Sequence, residues 1–389
     1  MKISVLGSYG EHNLGDEAIL DGLIDFFQRE YNASLVVYSH APVKSAKIHK
    51  QKRVHFRHMM PTGIRSFVSQ IASGYFFQTI RLFHQSDVVV IGGGGLFYEK
   101  ELGHKGFSPL IIWFLRVLFL KLFLKKKYYV IGVGLQSLKK KYSRILLGKI
   151  LLWAEAVVLR DKKSYEYAHF LCKRHKNIIK SSDLAWLRNG EYTSSFSQSL
   201  AIQIREVLGV DKERLKRHII AIGENVIEQL NYNIAFYPMS FAGPDDRDIM
   251  KNIVSDSNFQ NKITITSSSS PEKLSHLFAS HPIILATRFH SIILSIQAGS
   301  IPIILSYSQK TQSLANDINS FLNSYDLEIP VHDIQNFSAK EILHDIKYIL
   351  AHHDSLKKYL DMYQKQTSCY LVAELRNIFK NFPLYDENQ

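Results

Sequence analysis

Cysteine is scarce: the 389 residues contain two, Cys172 and Cys369. Two thiols cannot build a disulfide framework, and their spacing offers no pair of metal ligands. They read as buried thiols of a reducing compartment. An opening apolar core of the kind a signal peptide needs is also missing, because MKISVLGSYG runs directly into a strand pattern. A cytoplasmic protein is therefore expected. The aromatics sit inside apolar runs rather than between basic residues, which argues against a nucleic-acid module. Acidic side chains are outnumbered, 35 against 48 Lys and Arg, for a formal charge of +13. Much of that excess is solvated surface, and its remaining partners are anionic headgroups or small phosphorylated molecules.

A long charge-free apolar run is absent too. The nearest approach is 107–127, FSPLIIWFLRVLFLKLFLKKK, which Arg116 and Lys121 interrupt before three closing lysines. A spanning helix normally needs about 20 residues with few charges. The stretch reads either as a buried helix of an α/β domain or as a monotopic patch, apolar side in lipid and lysines on headgroups.

What the chain has instead is alternation. Apolar β-rich runs at 2–7, 34–39, 87–92, 128–134 and 155–160 are separated by helical patterns such as 16–30, 108–124 and 143–153. The serine-rich stretch 189–199 reads as a linker. Strand patterns resume at 200–204, 233–240, 262–267, 282–287 and 301–307, and 338–380 looks helical. Runs apolar on both faces imply parallel sheets covered on both sides. The expected class is α/β: two tandem doubly wound Rossmann-like domains with the functional cleft between them, where strand carboxyl ends face each other. The expected boundaries are 1–188, a linker at 189–199, a second domain at 200–337 and closing helices at 338–389.

Four motifs stand where such strands end. In GSYGEHNLGDEAIL, glycines let the backbone turn and expose amides, and Asp16 suits an N-cap. A glycine-rich turn without a ligand would need no Asn13, and the spacing is not that of a dinucleotide loop. IGGGGLFYE places four glycines, Gly93 and Gly94 among them, after a buried strand, either for a ligand or for tight packing. VVLRDKKS puts Arg160 at a strand end, where it serves a site or a surface ion pair. In ATRFHSIILSIQAGSIPIILSY, Thr287 as cap would make Arg288 and His290 the first and third residues of a helix. Such a start can hold an anion; arginine offers a bidentate fork and histidine a mobile proton. Lys310 follows the next strand. Asp245, Asp246 and Asp248 stand in a turn-to-helix context where aspartates cap, and no metal site is expected.

In order, GSYGEHNLGDEAIL, IGGGGLFYE, GVGLQS, VVLRDKKS, SDLAWL, ATRFHSIILSIQAGSIPIILSY and SQK resemble the polysaccharide pyruvyl transferase family, from about residue 1 to 316. The resemblance implies a GT-B-like fold and transfer of the enolpyruvyl unit of phosphoenolpyruvate to a sugar, giving a pyruvate ketal and phosphate. It implies a phosphoenolpyruvate site of Arg160, Arg288, His290 and Lys310, with Arg288 and His290 catalytic and the acid or base role of His290 open. Asn13, Gly15, Asp16, Gly93 and Gly94 would take the glycan acceptor, lipid-linked or soluble. Phosphoenolpyruvate would be a co-substrate, with no cofactor. A protein at the inner face of the membrane, in contact through 107–127, fits this reading. One departure is visible: Asp183-Leu184-Ala185 stands where the family commonly has Asp-Pro-Ala. The alternative is a GT-B glycosyltransferase using a nucleotide sugar.

Overall fold

The computed structural model describes residues 1–50, 52–99, 108–173, 175, 177–192, 195–242 and 244–385. Phe107 of the basic apolar stretch and residues 193 and 194 of the linker lie outside the described residues. The chain divides into two compact units. The first comprises Met1–Glu11, Ile19–Arg188 and Tyr370–Gln389, and the second His12–Ala18 and Asn189–Cys369.

In the first unit the elements run β1 (Lys2–Leu6), α1 (Leu14–Tyr31, whose first turn belongs to the second unit), β2 (Ser34–Ser39), α2 (Pro42–Ile48), β3 (Val54–His58), α3 (Ile64–Ala72), α4 (Tyr75–Gln85), β4 (Val88–Gly94), α5 (Pro109–Leu118), β5 (Tyr128–Val133), α6 (Lys141–Leu152), β6 (Val157–Leu159), α7 (Lys162–Leu171) and β7 (Ile178–Lys180). The sheet is parallel throughout, in the order β3-β2-β1-β4-β5-β6-β7. Strand β4 is buried along its whole length because helices cover both faces. The tail returns to this unit: Phe379 packs on Phe27 and Tyr129, and Arg376 pairs with Glu30.

The second unit continues with β8 (Ser199–Gln203), α8 (Lys212–Leu230), β9 (Asn233–Phe236), α9 (Asp246–Asp256), β10 (Ile263–Ile265), α10 (Pro271–Phe278), β11 (Ile283–Ala286), α11 (Phe289–Gln297), β12 (Ile301–Ser306), α12 (Gln309–Leu322), β13 (Val331–Asp333), α13 (Ala339–Ala351) and α14 (His353–Ile378, which from Tyr370 belongs to the first unit). Its sheet is again parallel, in the order β10-β9-β8-β11-β12-β13. Both units are thus doubly wound, as the alternation of patterns implies. Strands β3, β7 and β13 have no counterpart among the expected runs. All three lie at sheet edges, where one side faces solvent and polar residues such as His55, Arg57 and His332 are tolerated.

Within the stretch 107–127, Pro109–Leu118 form α5 and Phe119–Phe123 a π-helical turn. Leu110, Trp113, Val117 and Leu120 enter the core, while Leu115, Leu122 and Phe123 face solvent. No described helix is long and apolar enough to cross a membrane.

A buried histidine pins the centre of the second sheet. His281, just before β11, meets the hydroxyl of Ser199 at 2.5 Å through Nδ1 and that of Tyr237 at 2.7 Å through Nε2. Burial pushes its pKa down to about 4, although the bond to Ser199 pulls the other way. The folded state therefore holds the ring neutral, whereas the unfolded chain titrates it near 6.5. Stability from this site is complete above about pH 6.5 and lost as pH falls toward 4, to a total of about 3 kcal/mol. Urea unfolding at about pH 7 and about pH 4.5 should show that loss, and His281→Gln should flatten it. An equal slope in the variant would assign the pH dependence to other groups.

Candidate active site

Parallel strands place all their carboxyl ends on one edge of a sheet. In the second unit the strand order reverses between β8 and β11. Loops leaving these two strands part to opposite faces, and ligands of doubly wound sheets bind in the gap so formed. Two arginines flank it. Arg205 lies two residues past β8 and Arg288 two past β11, and Gln203 pairs with Ala286 in the ladder. The arginines therefore leave the sheet at the same level. The loop after β12 adds Tyr307, the N-cap Ser308 and exposed Lys310 at the start of α12. Arg205 stacks its guanidinium over Tyr307 at 5.3 Å and reaches the phenol oxygen at 3.3 Å. Loop 205–210 walls two cavities on this edge, of about 490 and 340 Å³.

Arg205 is the residue that sequence reading missed. Its signal was available, since it stands at the same offset from a buried strand as Arg288.

Arg288 is the N-cap of α11, so the helix begins one residue later than the sequence suggested and His290 is its second residue. The side chain of Arg288 is clamped by Asp246, Nε to Oδ2 at 2.7 Å and Nη2 to Oδ1 at 2.5 Å. The same carboxylate accepts from the amides of Met239 and Ser240 at 3.0 and 3.1 Å. Buried Gln203 completes the arrangement. Its Oε1 accepts from the Arg288 amide at 2.8 Å, and its Nε2 donates to Asp246 at 3.2 Å. Asp245 caps α9, as an aspartate there should, by accepting from the Arg247 amide. Asp246, the next residue, holds the arginine instead. Among the described residues no three His, Cys, Asp or Glu side chains are grouped to hold a metal ion.

His290 is half-buried and meets a segment from the start of the chain. Residues 12–18, expected with the first domain, cluster with the second unit. Leu14 donates its amide to Met239 O at 2.9 Å, Phe241 donates to His12 O at 3.0 Å, and Asn13 bridges Ser240 antiparallel. This docks the loop on the segment after β9, beside Asp246. A Cβ on Gly15 would overlap the His290 ring at Nδ1 and Cγ. The glycine is needed for that close approach, not for turn geometry. Asn13 holds the loop, its Oδ1 accepting from the Gly15 amide at 3.0 Å and its Nδ2 donating to Asp16 at 2.8 Å. Asn13, Gly15, Asp16, Arg288, His290 and Lys310 are thus all features of one unit.

The other candidates belong to the first unit. Gly93 and Gly94 end β4 with φ of +73° and +76°, a conformation that disfavours side chains. A Cβ on Gly93 would strike Ile19 of α1, so helix–sheet packing requires a glycine here. Arg160 follows β6, largely buried, and bonds Asp183 at 3.0 Å. Asp183 also caps the 3₁₀ turn Leu184–Leu187, its Oδ1 accepting from the Ala185 amide at 2.9 Å. Leu184, in place of the family's proline, is fully buried and lies on Gly132, where a Cβ would overlap it. The changed residue therefore fills core space while the Asp183 cap keeps its geometry.

Comparison with known proteins adds three findings. The family model described as polysaccharide pyruvyl transferase matches residues 13–309. No curated protein matches the chain in sequence. Solved structures share its fold. The HepE protein of Anabaena in complex with UDP-glucose superimposes with a TM-score of 0.61 at 10% identity, over 98% of this chain and 99% of its own. UDP-GlcNAc 2-epimerase from Neisseria meningitidis bound to UDP-GlcNAc gives 0.60 at 9%, over 98% and 100%. A glycosyltransferase from Rickettsia africae gives 0.59 at 11%, over 98% of each. The two-domain architecture is that of GT-B enzymes.

Proposed function

Because the chain belongs to the polysaccharide pyruvyl transferase family, we propose that it moves the enolpyruvyl unit of phosphoenolpyruvate onto two hydroxyls of one sugar. The observation that supports this most is the placement of His290. Its imidazole stands at the first turn of α11, against the Gly15 backbone, on the edge that also carries Arg205, Arg288 and Lys310.

The chemistry asks for those groups. Phosphoenolpyruvate brings a carboxylate and a phosphate on neighbouring atoms. Helix amides and cationic side chains are the general means of holding such a pair. One sugar hydroxyl adds to C2 while the terminal methylene takes a proton and becomes a methyl. The C2–O bond to phosphate then breaks, and a second hydroxyl closes the ketal and gives up its proton. Two hydroxyl protons leave, one is taken up at the methyl carbon and one departs with phosphate. His290 is the residue assigned to these transfers.

Arg288 spends Nε and Nη2 on Asp246. In this reading it therefore orients the donor through Nη1, and Arg205 and Lys310 add further positive charge on the same edge. Asn13 and Asp16 take the acceptor hydroxyls. The glycan acceptor need not be lipid-linked for any of these steps.

A nucleotide-sugar donor would suit the same cations, and two of the structural neighbours are complexes with UDP-glucose and UDP-GlcNAc. Thermal shift separates the two. Phosphoenolpyruvate in excess over its dissociation constant should raise the unfolding midpoint, by mass action on the folded state, and UDP or UDP-glucose should not. Stabilisation by UDP with none by phosphoenolpyruvate would replace pyruvyl transfer with glycosyl transfer.

A further inference from the structure

Away from these residues the first unit carries an apolar face with an unusual charge environment. Helix α3 repeats Ile64, Phe67, Val68 and Ile71 at amphipathic spacing, yet none of its residues is buried. Ile64 is 77% and Val68 59% exposed. The face is continuous. Ring contacts run from Phe67 to Phe76 at 5.1 Å, from Phe76 to Phe119 at 5.8 Å and from Phe119 to Phe123 at 5.6 Å. This links α3, α4 and the π-helical turn, where Leu122 and Phe123 are 60% and 72% exposed. Between them lies a groove of about 420 Å³, lined mainly by Met60, Ile64, Phe67, Phe76, Ile112 and Phe119. Soluble proteins rarely leave contiguous apolar surface of this kind without a partner.

The charge on the segments that build the face is of one sign. Residues 31–86 and 102–154, which supply all of these elements, contain nineteen lysines and arginines and no aspartate or glutamate. Lys121 and Lys125 flank the exposed tip of the π-helical turn, while Lys126 donates to the carbonyls of His84 and Ser86 at 2.9 Å and Lys127 stands 4.0 Å from Glu155. Arg116 lines the groove itself and is 5% exposed. It donates to Met60 O at 2.9 Å and stacks on Trp113 at 4.8 Å. Its Nε has no acceptor; Glu11 attracts it through space but lies against His40 at 3.4 Å. A buried guanidinium without a hydrogen-bonded counterion is costly, and an anion bound in the groove would relieve that cost.

We propose that this face seats the protein on a bilayer of anionic phospholipid. Its exposed apolar side chains enter the interface, the lysines lie on headgroups, and the groove accepts one lipid with its phosphate at Arg116. A second copy of the chain fits less well, since it would bring two cationic rims together. A neutral apolar partner would leave the rim and Arg116 unanswered. The inference rests on the first unit alone and is independent of the donor used in the reaction.

Flotation of the full chain with vesicles tests it. Binding should be strong to phosphatidylcholine containing about 30% phosphatidylglycerol, weak to phosphatidylcholine alone, and reduced by salt. Ile64→Ser/Phe123→Ser alters only exposed side chains and should weaken binding to the anionic vesicles roughly tenfold or more. Arg116→Gln should weaken it too, provided its circular dichroism matches wild type. Three outcomes would overturn the proposal: no binding to anionic vesicles, undiminished binding by the double variant, or a wild-type dimer that the double variant converts to monomers.

Discussion

Replacing His290 with alanine is expected to lower turnover by about 10²–10⁴-fold, the range of a positioned acid or base, which is roughly 3–5 kcal/mol in the barrier. The thermal midpoint should barely move, because the ring is half-buried and α11 is held by the apolar residues that follow it. Gly15→Ala makes the same point from the opposite side. It leaves the imidazole in place chemically but drives a methyl group into it. If position matters as much as identity, Gly15→Ala should lose most of the turnover that His290→Ala loses. The double variant should then be no slower than His290→Ala alone, since two changes acting through one group are not additive. Phosphate release from phosphoenolpyruvate with a glycan acceptor provides the readout. Near-normal turnover in folded His290→Ala would remove the histidine from the mechanism. Additive losses would show Gly15 acting by another route.

The Gly15–His290 contact marks the limit of what one sequence reveals. The two motifs were each legible as strand-end features, because a buried apolar run followed by glycine or a cation is a local pattern. Their contact spans most of the chain and leaves no periodicity to read. Gly93 makes the same case in reverse. Four glycines in a row admitted either a ligand or tight packing, and only the structure shows that Gly93 meets Ile19 of α1. The central strands were legible because burial on both faces writes a continuous apolar run. Edge strands β3, β7 and β13 were not, because one exposed side admits histidine, arginine and aspartate. Arg205 was within reach, since only its company distinguishes it from an ordinary surface arginine. That company is Arg288, two residues beyond Ala286, the ladder partner of Gln203.

Asp246→Asn is expected to destabilise the second unit strongly. Reading the sequence made this aspartate a helix cap. It is instead the buried anion that satisfies Arg288, two backbone amides and Gln203 together. Asparagine retains an acceptor oxygen but removes the charge, leaving a largely buried guanidinium without compensation. Removing one partner of such a pair typically costs about 3–5 kcal/mol, which would lower the midpoint of this unit by roughly 10 °C. The pair contributes far less than that relative to a neutral replacement, because desolvating two charges offsets most of their attraction. Asp246→Asn/Arg288→Gln should therefore recover a large part of the stability while remaining inactive. Urea unfolding of the two single variants and the double variant gives the coupling directly. A stable, inactive Asp246→Asn would mean that this carboxylate acts on substrate. An unstable double variant would mean that its bonds to Met239 and Ser240, rather than the arginine, are what the fold requires.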